Sequence, residues 1–259
     1  MTSRPIRIAA QLQPQHATYD LVRDRVRELE DVGVDILFNW DHFFPLNGDP
    51  DGLHFEAWTE LGSWAELTER VEFGSLVNCN SYRNPDLQAD MARTLDHISG
   101  GRFIFGTGSG WFERDYVEYG YDFGTVGSRL NDLAAALPRI EARWAELNPQ
   151  PTRKIPVLIG GAGEQKTLRL VAQHADIWHS FSTPEVLDHK LEVLRRWCDE
   201  VGRDIAEIEI SNEQRQPDLD MADVLADRGV TLFTIGISGD RYDVNRVKEW
   251  LAWRDARNG

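Results

Sequence analysis

Cysteine is scarce in this chain: only Cys79 and Cys198 occur among 259 residues, one in a strand-like stretch and one in a helix-like one. Two such residues make neither a disulfide framework nor a metal-ligand spacing. No apolar run approaches the ~20 residues a membrane-spanning helix needs, and the first dozen residues hold one short apolar strand rather than a signal-peptide core. No Pro/Ser-rich hinge, low-complexity tract or long block of one charge divides the sequence. Basic charge is also in deficit: 28 Lys and Arg stand against 43 Asp and Glu, a formal net charge of −15. Such a surface repels phosphate backbones and anionic lipid, which argues against nucleic-acid and membrane partners. These absences point to a cytoplasmic protein of a reducing compartment. Residues 1–259 read as one domain, at a length typical of one β/α barrel.

What is present is a repeated change of apolar period. Short β-branched or aromatic runs alternate with amphipathic stretches, the pattern of βα units on a parallel sheet. Strands are expected at residues 6–12, 35–40, 71–77, 102–107, 155–159, 176–181, 208–211 and 231–237. Helices are expected from residue 18 (with Val22, Val26 and Leu29 on one face), and over 55–67, 85–99, 128–147 and 164–174. Three more are expected from Thr183-Pro184, over 221–227 and over 244–256. Pro85 and Pro184 suit a first helical turn, where a missing N–H costs nothing, and Pro138 predicts a kink. Eight strands and eight helices in strict alternation favour closure, because a closed sheet has no edges. The expected fold is therefore α/β, a (β/α)8 TIM-type barrel.

Active sites of such barrels lie at the C-terminal strand ends. That rule selects residues 40–56, 78–84, 108–127, 160–163, 179–182, 212–217 and 238–243. It places Ser99-Gly100-Gly101-Arg102 at the opposite end, as a helix stop and turn. Asp41 and His42 end the second strand on opposite sides of it, and His42 is the candidate for proton exchange or hydrogen bonding; a loop or capping histidine is the alternative. Phe43, Phe44, Pro45, His54, Phe55 and Trp58 offer either a flat slot for a ring system or ordinary loop packing. Thr107-Gly108-Ser109-Gly110-Trp111 supplies hydroxyls and backbone N–H groups to a ligand that approaches closely. Gly160-Gly161-Ala162-Gly163-Glu164 is a Gly-rich turn feeding a helix N-terminus, either an anion site or a plain tight turn. It lacks the spacing of a P-loop or a full dinucleotide fingerprint. Hydrolysis fits poorly: the first strand has no His-x-His ligand pair, and the fourth-strand end carries Thr107 and Ser109 rather than a second carboxylate. No metal site is expected.

Taken in order, these stretches resemble the bacterial luciferase-like flavin/deazaflavin oxidoreductase superfamily and, within it, the F420-dependent enzymes of actinobacterial type. The resemblance rests on Asp41-His42-Phe43-Phe44-Pro45, Gly52-Leu53-His54-Phe55-Glu56-Ala57-Trp58, Tyr82-Arg83-Asn84-Pro85 and Asp96-His97-Ile98-Ser99-Gly100-Gly101-Arg102. It continues through Gly108-Ser109-Gly110-Trp111-Phe112-Glu113, Ile159-Gly160-Gly161-Ala162-Gly163-Glu164 and Ala175-Asp176-Ile177-Trp178. It implies coenzyme F420 as cofactor, with FMN as the alternative, a small-molecule substrate and a homodimer. It implies His42 beside the reactive ring edge and Asp41 as a cofactor contact. A third-strand bulge, often with a non-proline cis peptide, would lie within Ser75, Leu76, Val77 and Asn78. Thr107, Gly108 and Ser109 would touch the cofactor, Gly160, Gly161, Ala162 and Gly163 its phosphate or tail, and Trp178 would join them. Arg83, Lys166 and the helix N-terminus near Gly163 are where positive potential for an anionic cofactor is expected. The sequence departs from the group's sugar-phosphate dehydrogenases at Ser109, where those carry a Glu, leaving Glu113 or Glu56 as substitutes. It is also shorter near the seventh strand, which implies an open site or one completed by a partner subunit. The rivals are an FMN-dependent monooxygenase and a non-catalytic F420 carrier on the same scaffold.

Overall fold

The computed structural model describes residues 4–214, 218–238 and 242–259. Nine parallel strands form one sheet in the order β3-β2-β1-β9-β8-β7-β6-β5-β4, and a further pairing of β3 with β5 closes it. The strands are β1 Arg7–Leu12, β2 Ile36–Asn39, β3 Glu72–Ser75, β4 Asn78–Cys79, β5 Phe103–Gly108, β6 Val157–Gly160, β7 Ile177–Ser180, β8 Glu209–Glu213 and β9 Val230–Ile237. The helices are α1 Tyr19–Asp31, α2 Ala57–Leu67, α3 Pro85–Ser99, α4 Glu113–Tyr119, α5 Val126–Glu146, α6 Thr167–His174, α7 Pro184–Val201, α8 Leu219–Ala226 and α9 Asn245–Asn258. This is the expected eight-fold barrel, because β3 and β4 together occupy one strand position. No helix among the described residues is long and apolar enough to cross a membrane.

The stretch expected as one strand over 71–77 is broken. A non-proline cis peptide joins Leu76 to Val77. Phe73 pairs with Phe103, an offset of 103 − 73 = 30, whereas Asn78 pairs with Thr107, an offset of 107 − 78 = 29. One extra residue is thus inserted on the β3–β4 side, which is a bulge. Glycine makes the closure possible: a Cβ on Gly74 would stand 2.2 Å from the Ile104 carbonyl oxygen, and one on Gly106 2.0 Å from that of Ser75.

Side chains alternate across the strands as the pleat requires. Ala9, Ile36, Phe38, Leu76, Ile104, Leu158, Ile177 and Leu232 pack together inside the barrel. Ile8, Leu37, Phe73, Phe105, Val157, Ile159 and Trp178 face the helices and join the main core with Val22, Val26 and Leu29 of α1. Thr18 caps α1 by accepting from the Leu21 N–H, satisfying one of the donors a helix start leaves open. At the base, Arg7 pairs with Glu72 and Glu209. Arg102 donates to the carbonyls of Ala65, Thr68, Val71 and Ser99, and Gly100 ends α3 in the left-handed conformation. The Ser-Gly-Gly-Arg stretch is a structural clamp at the bottom.

Three boundaries differ from expectation. Helix α4 lies in a segment read as loop. Helix α6 starts at Thr167, three residues later than expected, after a turn over 164–166. Strand β8 runs on to Glu213, carrying one more inward position to the mouth. Pro138 sits inside a helix that continues through it. The rim segments 212–217 and 238–243 include residues 215–217 and 239–241, which lie outside the described residues.

A candidate active site at the barrel mouth

His42 follows β2 at the upper rim, and its geometry is set from a distant part of the chain. Its Nδ1 lies 2.7 Å from Oδ2 of Asp115 on α4. The same carboxylate accepts from the Tyr82 hydroxyl at 2.9 Å and from the Phe43 N–H at 3.1 Å. The Asp115 side chain is fully buried while that of His42 is 12% exposed. A carboxylate with three donors around it fixes the ring as the Nδ1–H tautomer, so Nε2 is the acceptor left for the mouth. The ring meets Trp40, Trp111 and Phe112 edge-on, with centroids 5.5–5.9 Å away, and Trp111 is itself 63% exposed.

Asp41 points to the other side of β2, as alternation demands. It is held by both guanidinium nitrogens of Arg83, at 2.6 and 3.0 Å, and by the Cys79 N–H at 2.9 Å. Arg83 also bonds Glu56 at 2.6 Å, and Glu56 caps α2 through the Trp58 and Thr59 N–H groups. The acceptors of Asp41 are therefore occupied by protein donors, and Arg83 is spent inside an ion-pair network instead of offering charge to a ligand. The network ties β2 to β4 and α2 beneath the histidine. Glu113 is exposed, and Glu56 is engaged by Arg83 and the start of α2.

The bulge supplies a floor. A Cβ on Gly108 would come within 2.8 Å of Val77 Cγ2, and one on Gly160 within 3.0 Å of Val77 Cγ1. These two glycines lack side chains because Val77 fills the space between β5 and β6. The Leu76 carbonyl is held by Gln11 at 2.8 Å. Asn78 turns away from the lumen and bonds Trp58, Arg83 and Gln88. The hydroxyls of Ser75 and Thr107 are buried and without partners among the described residues. Ser109 is half-buried beside them.

The turn Gly160-Gly161-Ala162-Gly163 is fastened to β7: the Gly161 N–H donates to the His179 carbonyl, and its own carbonyl accepts from the Trp178 indole at 2.7 Å. Trp178 is fully buried in the strand–helix layer and reaches the mouth only by shaping this turn. Lys166 bonds Asn131, Arg169 lies over Trp197, and Glu164 is paired with His189 and Lys190. The charges expected around an anionic tail are thus drawn to α5 and α7.

The aromatic run after β2 does not form the expected slot. Phe43 stacks on Tyr119 at 4.0 Å, Phe44 lies under Arg114, Phe55 meets Tyr19, and Trp58 is buried in α2. His54 accepts from the Trp40 indole, and burial holds its pKa down to about 4, so it stays neutral behind the rim.

The sequence profile of the luciferase-like monooxygenase family matches residues 1–214, most of the chain. The chain belongs to the luciferase-like monooxygenase family. An uncharacterized protein of Mycobacterium tuberculosis is 28% identical over 183 residues, 62% of this chain and 64% of that protein. This luciferase-like chain thus spans under two thirds of that relative's length. An F420-dependent glucose-6-phosphate dehydrogenase of Amycolatopsis mediterranei is 28% identical over 167 residues, 58% of this chain and 49% of that protein. Among solved structures, an F420-dependent secondary alcohol dehydrogenase in complex with an F420-acetone adduct superposes with a TM-score of 0.84. Its sequence identity is 16%, with 97% of this chain and 99% of that one covered; the likeness is one of fold.

Two groups of this luciferase-like barrel lie within the rim segments that the strand-end rule selects, 108–127, 179–182 and 212–217, without being singled out by the sequence. Asp115 lies 73 residues from His42, on a helix that was not expected. On the opposite arc of the mouth, His179 of β7 and Glu213 of β8 point inward, with Nε2 and Oε2 4.0 Å apart. Burial pushes the His179 pKa down to about 3 and that of Glu213 up to about 7. No three His, Cys, Asp or Glu side chains converge as a metal site among the described residues. A cleft of about 600 Å³ lined by Glu141, Trp144, Arg153 and His174 opens at the base end, away from all of these groups.

Proposed function

We propose that this protein is an F420-dependent oxidoreductase acting on a small organic substrate at the barrel mouth. The observation that carries the reading is the oriented His42. A buried carboxylate from α4 fixes its tautomer on the strand end next to the bulge, where the Val77 side chain, flanked by Gly108 and Gly160, makes a small apolar floor. That floor, with the exposed ring of Trp111 and the unpartnered hydroxyls of Ser75 and Thr107, fits a flat heteroaromatic group with polar edges. When bound, the deazaflavin supplies a hydride donor or acceptor. The protein supplies position and electrostatics. His42 Nε2 accepts a hydrogen bond or takes up a proton at the rim, Asp115 holds the ring through that change, and the Asp41–Arg83 pair keeps the strand end rigid.

The relative of Amycolatopsis mediterranei supports the deazaflavin over FMN. A net charge of −15 disfavours nucleic acid as a partner. The deciding experiment is a fluorescence titration of cofactor-free protein with F420 and, separately, FMN. We expect saturable F420 binding. Tight FMN binding with none of F420 would establish the monooxygenase reading instead. Binding of F420 without turnover against a panel of enones, nitro compounds, ketones and alcohols would establish a carrier.

A further inference from the structure

We infer that His179 and Glu213 form a subsite for one substrate oxygen, hydroxyl or carbonyl, with Glu213 as the group that gives or takes its proton. Both side chains come from strand positions that face the lumen: His179 is in register with Gly160 and Ser211, and Glu213 with Thr234. His179 is 3% exposed and Glu213 12%. The His179 ring is oriented by Ser211 Oγ at 2.9 Å from Nδ1 and is met edge-on by Phe181. Its Nε2 has no partner among the described residues, and neither has Glu213 Oε2. They stand 4.0 Å apart, too far for a direct hydrogen bond. Two unsatisfied buried polar atoms are costly. One oxygen about 2.8 Å from each would satisfy both, provided it donates to one and accepts from the other. A hydroxyl does this; a carbonyl oxygen, which only accepts, bridges the pair when Nε2 carries the ring proton, Nδ1 accepts from the Ser211 hydroxyl and the carboxyl is protonated; an alkyl or aryl group does neither.

The surroundings fit a small group. A Cβ on Gly236 would crowd Glu213 Oε1 at 3.0 Å and Gln13 Nε2 at 3.3 Å, so glycine leaves room for the carboxyl to sit upright. The neighbours are Gln13 just after β1, Ser211 of β8 and Thr234 of β9, none of which titrates; lower on β8, Glu209 is tied to Arg7. Desolvation is the sole cause of the raised carboxyl pKa, and a carboxyl near neutrality suits proton transfer. A deazaflavin held at the mouth would supply a hydride to the carbonyl carbon in the reducing direction, and the π pair would move to oxygen. The Glu213 O–H bond breaks as the new O–H forms, leaving a carboxylate that solvent reprotonates.

The proton step rests on the proposed function; the oxygen subsite does not, and two arms separate them. In cofactor-free protein, 15N and 13C NMR follow His179 Nε2 and the Glu213 carboxyl during titration with 2-butanol and 2-butanone. We expect both signals to move with one saturation constant at millimolar probe. No shift, or two unrelated constants, overturns the subsite whatever cofactor the protein uses. In F420-loaded protein, Glu213→Gln should keep F420 affinity and lower turnover by about a hundredfold or more, the usual worth of a general acid. Unchanged turnover overturns the proton role.

Discussion

The substitution Asp115→Asn tests how the candidate histidine is set. Phe43 N–H faces Oδ1, while His42 Nδ1 and the Tyr82 hydroxyl share Oδ2. An asparagine has nearly the same shape but only one acceptor oxygen. The Phe43 N–H cannot change its role, so the amide oxygen stays at Oδ1 and the NH2 group faces the other two. His42 Nδ1 must then accept, its proton moves to Nε2, and the atom offered to the mouth turns from acceptor to donor. Tyr82 loses its acceptor altogether. Two hydrogen bonds to a charged group are at stake, each worth about 1.5–3 kcal/mol. One is exchanged for a neutral bond and one is lost, so a destabilisation on the order of 2–4 kcal/mol is expected. Urea unfolding reads this as a lower midpoint at unchanged slope. Histidine 15N spectra read the tautomer directly, and turnover should fall by about 10²–10⁴ if His42 exchanges a proton. A variant in which His42 keeps its Nδ1–H and turnover is unchanged would refute the argument that Asp115 sets the ring.

Glu60 is fully buried beside Asn39, and desolvation raises its pKa from 4.5 to about 8. It is neutral in the fold and ionises on unfolding, so it contributes most below pH 4.5 and its contribution falls as pH rises towards about 8. The slope is about 1.4 kcal/mol per pH unit. Denaturation of wild type and Glu60→Gln across that window should show the difference, and parallel curves would contradict it. Arg83→Met strands the buried Asp41 carboxylate and should cost about 3–5 kcal/mol, measured by urea unfolding. Gly108→Ala sets a methyl against Val77 and should cost about 1–3 kcal/mol. Val77→Ala should recover part of it, and purely additive effects in the double mutant would rule out that contact.

The barrel was legible because its strands read as short apolar runs between helical periods. Eight strand positions came from that pattern alone. The break in the third strand falls within residues 75–78, where the family resemblance places a bulge and a non-proline cis peptide; apolar alternation alone, which a bulge leaves unmarked, reads the stretch as one strand. β8 gave the faintest signal for a physical reason: its lumen-facing residues Glu209, Ser211 and Glu213 are all polar, so the alternation that announces a strand is inverted on its inner face. The same inversion hid Glu213. Helix α4 was invisible because Val117 and Tyr119 are exposed and its seven residues give no apolar stripe. His42 was found from its place at a strand end; its partner was not, because sequence distance says nothing of spatial distance across a mouth.

The short helix α4 also has an engineering consequence. Through Asp115 it fastens two separate segments, at residues 42–43 and at residue 82, to a single peg. Grafting a longer cover over the mouth between residues 110 and 119 would therefore detune the histidine before it touched any ligand. The stretch around Phe181 gives no more freedom: its ring is exposed but meets His179 edge-on, so rebuilding the entrance there would disturb the second histidine.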